Sequence, residues 1–177
     1  MVQKVMDLLA TAGHGVYFGE QVTQLEHALQ CAALARAAGA DEEAILAALL
    51  HDIGHLLGVP EGPVGVIEHD EIGRNWLLER GFSKRLAALV HGHVDAKRYL
   101  TATNPEYASR LSKASLETLR LQGGPMEPDE SERFRGDPLF RDMLQLRSWD
   151  EAAKVPGLDV PGLESYRDLL LRHMYPQ

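Results

Sequence analysis

Apolar residues recur three and four positions apart along nearly all of the chain, and alternating β-branched runs are almost absent, a pattern that predicts an all-α fold. A first helix is expected over about residues 2–12. It ends at Gly13, and the Gly-rich stretch Gly13-His14-Gly15-Val16-Tyr17-Phe18-Gly19 suits a loop that keeps Tyr17 and Glu20 outside any helix. Thr23-Gln24-Leu25-Glu26 has the form of a capping box, so a second helix should run from there to about Ala38, with Gly39 as its stop. Asp41-Glu42-Glu43 opens a third with acids at its positive end. The series Ile45, Leu46, Leu49, Leu50, Ile53 carries that central helix past His51 and Asp52. Val59-Pro60-Glu61-Gly62-Pro63 breaks the chain, and helices are expected from about Val66 to Arg80, closed by Gly81, and from Ser83 to about His93. Leu111 to Leu121 predicts another, stopped by Gln122-Gly123-Gly124-Pro125. Met126 to Arg135 reads as a charged linker or lid, and two or three short helices follow from about Pro138. No repeat or low-complexity tract marks a boundary, so residues 1–177 are read as a single domain.

Composition narrows the function classes. With 26 acidic against 18 basic side chains the formal charge is -8, a field that repels phosphate backbones and anionic lipid. Nucleic acid and membrane are therefore not expected partners. A lone cysteine, Cys31, has no intramolecular disulfide partner and sits in an apolar run that suits a small buried thiol. No segment has the apolar length of a membrane span or an export signal, and a cytoplasmic protein is expected.

The candidate chemistry lies in the histidines. There are eight, six of them between residues 27 and 93. His51 and Asp52 are adjacent, so on a helix they differ by about 100° of rotation and both can turn into one cavity between helices, where imidazole and carboxylate together suit a di- or trivalent metal. His14 in the loop and His173 near the C-terminus read as solvated.

The set Glu26-His27, His51-Asp52-Ile53-Gly54-His55, Glu68-His69-Asp70, His91-Gly92-His93 and Trp149-Asp150 resembles the HD-domain superfamily in its two-metal form, across nearly the whole chain. The resemblance implies a single helical bundle with a two-metal site between helices. His27, His51 and Asp150 would hold one ion, His69 and His93 the other, and Asp52 would bridge them. His91 and His93 point to nearly opposite sides of a helix; we favour His93, because the family pattern puts a basic residue one turn later and Lys97 stands there. Asp70 is the neighbour that would replace His69 as a ligand.

Within the superfamily, His55 stands where two-metal hydrolases often carry Lys. The segments Tyr17-Phe18-Gly19-Glu20, Gln24 to Gln30 and His51 to His55 resemble the mixed-valent di-iron oxygenases that cleave the carbon–phosphorus bond of 1-hydroxyalkylphosphonates. That likeness implies two iron ions, O2 as co-substrate, and a small phosphonate such as 2-amino-1-hydroxyethylphosphonate or its trimethylammonio analogue. It implies that His55, Lys97, Ser115 and Arg147 hold the phosphonate, whose three acceptor oxygens match such donors. Tyr17 resembles a loop tyrosine that covers the open iron position before substrate arrives, and Glu20 resembles the acid that meets the substrate's amine. Few aromatic residues are at hand for a quaternary ammonium, which leans the reading toward the amine. Each of these residues also has a plainer reading: Lys97-Arg98 as a solvated helix end, Ser115 as a surface hydroxyl, Arg147 as a partner of Asp142 or Glu151, Tyr17 and Glu20 as ordinary loop residues. The alternative function is an HD phosphohydrolase acting on a nucleotide or small phosphate ester; a third reading is an idle metal-binding domain. The oligomeric state stays open.

Overall fold

The computed structural model describes residues 1–58, 66 and 68–176. Among them ten α-helices and two 3-10 turns form the architecture, with no strand and one isolated bridge, Val16 to Thr23, closing the first loop. The helices are α1 (Val2–Ala12), α2 (Gln24–Ala37), α3 (Glu42–Leu50), α4 (His69–Glu79), α5 (Lys84–Thr103), α6 (Pro105–Arg110), α7 (Lys113–Leu121), α8 (Pro128–Arg135), α9 (Phe140–Ala152) and α10 (Arg167–Met174). The 3-10 turns are Ile53–Leu56 and Leu163–Tyr166. The all-α expectation is borne out.

Local chemistry explains most of the boundaries. Thr23 accepts from the Glu26 amide while the Glu26 carboxylate accepts from the Thr23 amide, the capping box expected at the start of α2. Asp41 caps α3, and Ser83 caps α5 through the Leu86 amide. Helix α3 is apolar all round, and Ala44 to Leu50 are buried on every face, with α2, α5 and α9 packed about it. Leu46, Leu49 and Leu50 are at most 1% exposed. Burying each contributes about 1.5–3 kcal/mol relative to leaving it in water.

Several expected boundaries are corrected. Helix α3 stops at Leu50 rather than continuing past Asp52: His51 is its C-cap, and the backbone tightens into the 3-10 turn at Ile53. Helix α4 starts at His69, not Val66; the breaker at Val59 to Pro63 lies outside the described residues. Helix α5 runs ten residues beyond His93 to Thr103, because Ala96, Lys97, Arg98 and Leu100 are good helix formers with no breaker until Asn104-Pro105. Asn104 then caps α6.

The charged stretch 126–135 is not a linker or lid. Glu127 and Glu130 form a capping box, Pro128 takes the first helical position, and Phe134 packs against Tyr99 and Phe140 at 5.5 and 5.3 Å. Arg98 ties the segment down, donating to the Gly124 carbonyl and to both oxygens of Glu130 at 3.0 Å. His173 is likewise not solvated: it accepts from the Ser83 amide at 3.2 Å and stacks on Phe82. His14 is exposed and Cys31 fully buried, as expected.

Candidate metal centre

Five helices converge on one buried point. Helix α2 brings His27, the end of α3 and the turn after it bring His51 and Asp52, the first residue of α4 is His69, the middle of α5 carries His93, and the end of α9 carries Asp150. All six are buried.

The Asp52 carboxylate divides the set. Its Oδ2 lies 3.6 Å from His27 Nε2 and 3.3 Å from His51 Nε2, while its Oδ1 lies 3.3 Å from His69 Nε2 and 3.5 Å from His93 Nε2. Asp150 Oδ1 joins the first half, 3.3 Å from His27 and 3.8 Å from His51. Each imidazole is anchored from behind, its Nδ1–H donating to a backbone carbonyl: His27 to Ala153, His51 to Ala48, His69 to Val66 and His93 to Val90. A carbonyl only accepts, so these bonds put the proton on Nδ1 and leave a lone pair on Nε2. The lone pairs of His27 and His51 then face each other at 3.0 Å, and those of His69 and His93 at 3.1 Å. Asp52 Oδ2 and Asp150 Oδ1 are buried without any hydrogen-bond donor. Acceptors converging with no donor among them repel unless a cation stands between them, so the residues fit two metal ions, one in each half.

Arg147 completes the first half from outside. Its guanidinium donates to Asp150, to Glu151 and, through Nε, to the Tyr107 hydroxyl at 2.8 Å. Burial by itself would raise the Asp150 pKa, but the Arg147 guanidinium holds the carboxyl well below the usual range. It is therefore ionised and ready as a ligand.

A cavity of about 250 Å³ opens beside Asp52, His69, His93 and Asp150. It is also lined by Lys97, Ser115, Thr118, Gln122 and Arg147 and by Tyr17, Glu20 and Gln24, with the exposed Val16 and Phe18 at its mouth. His55 lines it too, with its ring stacked on that of His69 at 4.1 Å. Here the tautomer is reversed: His55 Nδ1 accepts from the Val66 amide at 3.3 Å, so Nε2 carries the proton. Burial, then the neighbouring His69, drive its pKa down to about 3, so it is a neutral donor. Lys97 is 5% exposed and donates to the Thr118 hydroxyl at 3.1 Å. Burial, then Arg147, lower its pKa to about 7.

Tyr17 stacks on the His27 ring at 4.0 Å, and burial followed by the Asp52 and Asp150 charges pushes its phenol well above the ordinary value. The structure thus brings ten of the twelve predicted site residues to the lining of one cavity, while His27 and His51 lie behind it, against Asp52 and Asp150. Asp70 and His91 turn away and pair with each other at 3.0 Å. Arg147 keeps the partner Glu151 that its plainer reading supplied, while also lining the cavity. Sequence reasoning missed Thr118 and Gln122, although their spacing of three and seven from Ser115 puts all three on one face of α7 and its end. It also missed Tyr107 and Lys154, for which no local signal existed.

A family model for the HD domain matches residues 25–128, which include five of the six converging residues. The chain belongs to the HD-domain family. This HD-domain protein is also 41% identical over 177 residues to a hydroxymethylphosphonate dioxygenase of Gimesia maris, a match covering 93% of the chain and 84% of that relative. It is 38% identical to the [1-hydroxy-2-(trimethylamino)ethyl]phosphonate dioxygenase (glycine-betaine-forming) of Leisingera caerulea, over 97% of the chain and 89% of that protein. Both names describe oxygenases, the enzyme class expected from the sequence. No helix among the described residues is long and apolar enough to cross a membrane.

Proposed function

We propose that this HD-domain protein, acting as one domain in the cytoplasm without nucleic acid, is an oxygenase that cleaves the carbon–phosphorus bond of a 1-hydroxyalkylphosphonate. The reaction consumes O2 and yields the carboxylate of the former C1 carbon together with inorganic phosphate. One observation carries the reading: the cation-fitting half-sites about Asp52 open onto the same small cavity as Lys97, Ser115 and His55. The relatives' names supply the reaction class.

His27, His51 and Asp150 would hold one iron, His69 and His93 the other, with Asp52 shared. The His69, His93, Asp52 half has the two-histidine, one-carboxylate donor set of non-haem Fe(II) oxygenases. A mixed-valent iron pair supplies a Lewis acid for substrate oxygens and a redox partner for O2. The protein's own groups bind and orient. Ser115 Oγ accepts from Ser112 and Lys154, which leaves its own proton for a phosphonate oxygen. His55 holds a proton at Nε2 for a second oxygen, and Lys97 supplies positive charge for the dianionic head group. Arg147 adds charge, with one N–H left over on each terminal nitrogen. Tyr17, flat on His27, shields the centre from water, and Glu20 meets the substrate's tail.

The test is phosphate release from hydroxymethylphosphonate, 2-amino-1-hydroxyethylphosphonate and its trimethylammonio analogue, with and without O2, with iron counted on the same sample. Oxygen-dependent release with about two irons per chain is expected. Release from phosphate esters without oxygen would instead identify a phosphohydrolase.

A further inference from the structure

Lys154 belongs to no predicted site and does not itself line the cavity, yet its ammonium lies directly behind two residues that do, Ser115 and Glu20. It is 3.2 Å from Ser115 Oγ, 3.3 Å from Glu151 Oε1 and 3.7 Å from Glu20 Oε1, and its side chain is only 12% exposed. Glu20 Oε1 is buried and accepts no hydrogen bond, so Lys154 is the cation that faces it among the described residues. Two cations and three carboxylates meet on this side: Arg147 donates to Asp150 and Glu151, and Lys154 stands between Glu151 and Glu20.

Resting on the phosphonate reading above, we propose that Lys154 determines how this cavity treats the charge on a substrate's tail. It neutralises Glu20 from within. A phosphonate with an uncharged tail fits the mouth as it stands, beside Val16 and Phe18. A cationic tail gains the attraction of Glu20 only against the repulsion of Lys154, or after displacing it, and the two terms nearly cancel for a charge placed between them. The amine expected from Glu20 alone is thus opposed by a residue 134 positions away. The same contact is a tether: it ties the loop carrying Tyr17 to the end of α9, where Glu151 holds the other side of the ammonium.

The test uses the iron-loaded full chain, wild type, Lys154→Met and Lys154→Arg. Binding of ethylphosphonate and 2-aminoethylphosphonate, which lack the C1 hydroxyl, is followed by calorimetry without O2. Turnover of hydroxymethylphosphonate and 2-amino-1-hydroxyethylphosphonate is measured in parallel. Lys154→Met should move both preference ratios toward the ammonium compound by on the order of tenfold, and Lys154→Arg should keep the wild-type ratios. Glu20→Gln should move them the opposite way, which keeps the proposal testable if Lys154→Met folds poorly. Amide exchange over residues 15–22 should quicken in Lys154→Met and not in Lys154→Arg. Unchanged ratios in Lys154→Met, with oxygen-dependent turnover intact, overturn the role of Lys154 and leave the oxygenase reading standing. Shifted binding ratios without any oxygen-dependent turnover overturn the oxygenase reading and keep the role of Lys154. Failure of the wild type to bind either phosphonate overturns both.

Discussion

Gly54 offers a direct test of how the two half-sites are brought together. The turn carrying Asp52 and the first residue of α4 touch backbone to backbone: a Cβ added at Gly54 would sit 2.0 Å from the His69 carbonyl oxygen and 2.8 Å from its Cα. An ordinary carbon–oxygen contact is about 3.3 Å, so Gly54→Ala must push His69 away by about 1 Å. The obstacle is backbone on both sides and has no flexible end to turn aside. Metal–ligand distances tolerate roughly 0.2 Å, several times less than that displacement. The overpacking cost is about 1–3 kcal/mol, and in a chain this long each kcal/mol lowers Tm by about 2–4 °C. The expected variant is folded, melts a few degrees lower, and keeps about half the metal, because His27, His51 and Asp150 are not attached to this contact. Elemental analysis of the purified protein, thermal unfolding and oxygen-dependent phosphate release check this together. A Gly54→Ala protein with full metal content, unchanged Tm and full activity would refute the reasoning.

Three further outcomes follow from the cavity. Lys97, with its pKa lowered to about 7, carries its charge below that pH and loses it above, so kcat/KM for a phosphonate should fall between about pH 6 and pH 8. Lys97→Arg should move that fall to higher pH, which a pH–rate profile reads. Arg147→Met leaves Asp150 and Glu151 without their buried cation and should cost about 3–5 kcal/mol in urea unfolding, with weaker metal binding in the first half. His55→Leu removes a donor that is not one of the six proposed ligands and keeps an apolar side chain against the His69 ring; kcat/KM should drop on the order of 10- to 100-fold at unchanged metal content, with partial recovery in His55→Gln.

The chain's local chemistry is legible in the order of its residues. Helix periodicity, the Thr23-Glu26 box, the caps at Asp41 and Ser83 and the loop around Tyr17 depend on residues within one helical turn of each other. The residue types of the centre are legible as well, because adjacent imidazole and carboxylate groups repeated along an otherwise apolar helical chain have few other uses. What lies between distant segments is decided by tertiary structure alone. The His27 ring is held by the Ala153 carbonyl across 126 positions, and His173 is half-buried because Ser83 and Phe82 meet it. Segment 126–135 becomes a packed helix rather than a lid because Phe134 finds Tyr99 and Phe140. Glu20 stands out in sequence only through the resemblance, and nothing local marks Lys154 as its partner; folding places the two face to face, both mostly shielded from water. Periodicity records which face of a helix turns inward, whereas the partner waiting there is set by how the helices pack, and a charge's role depends on that partner.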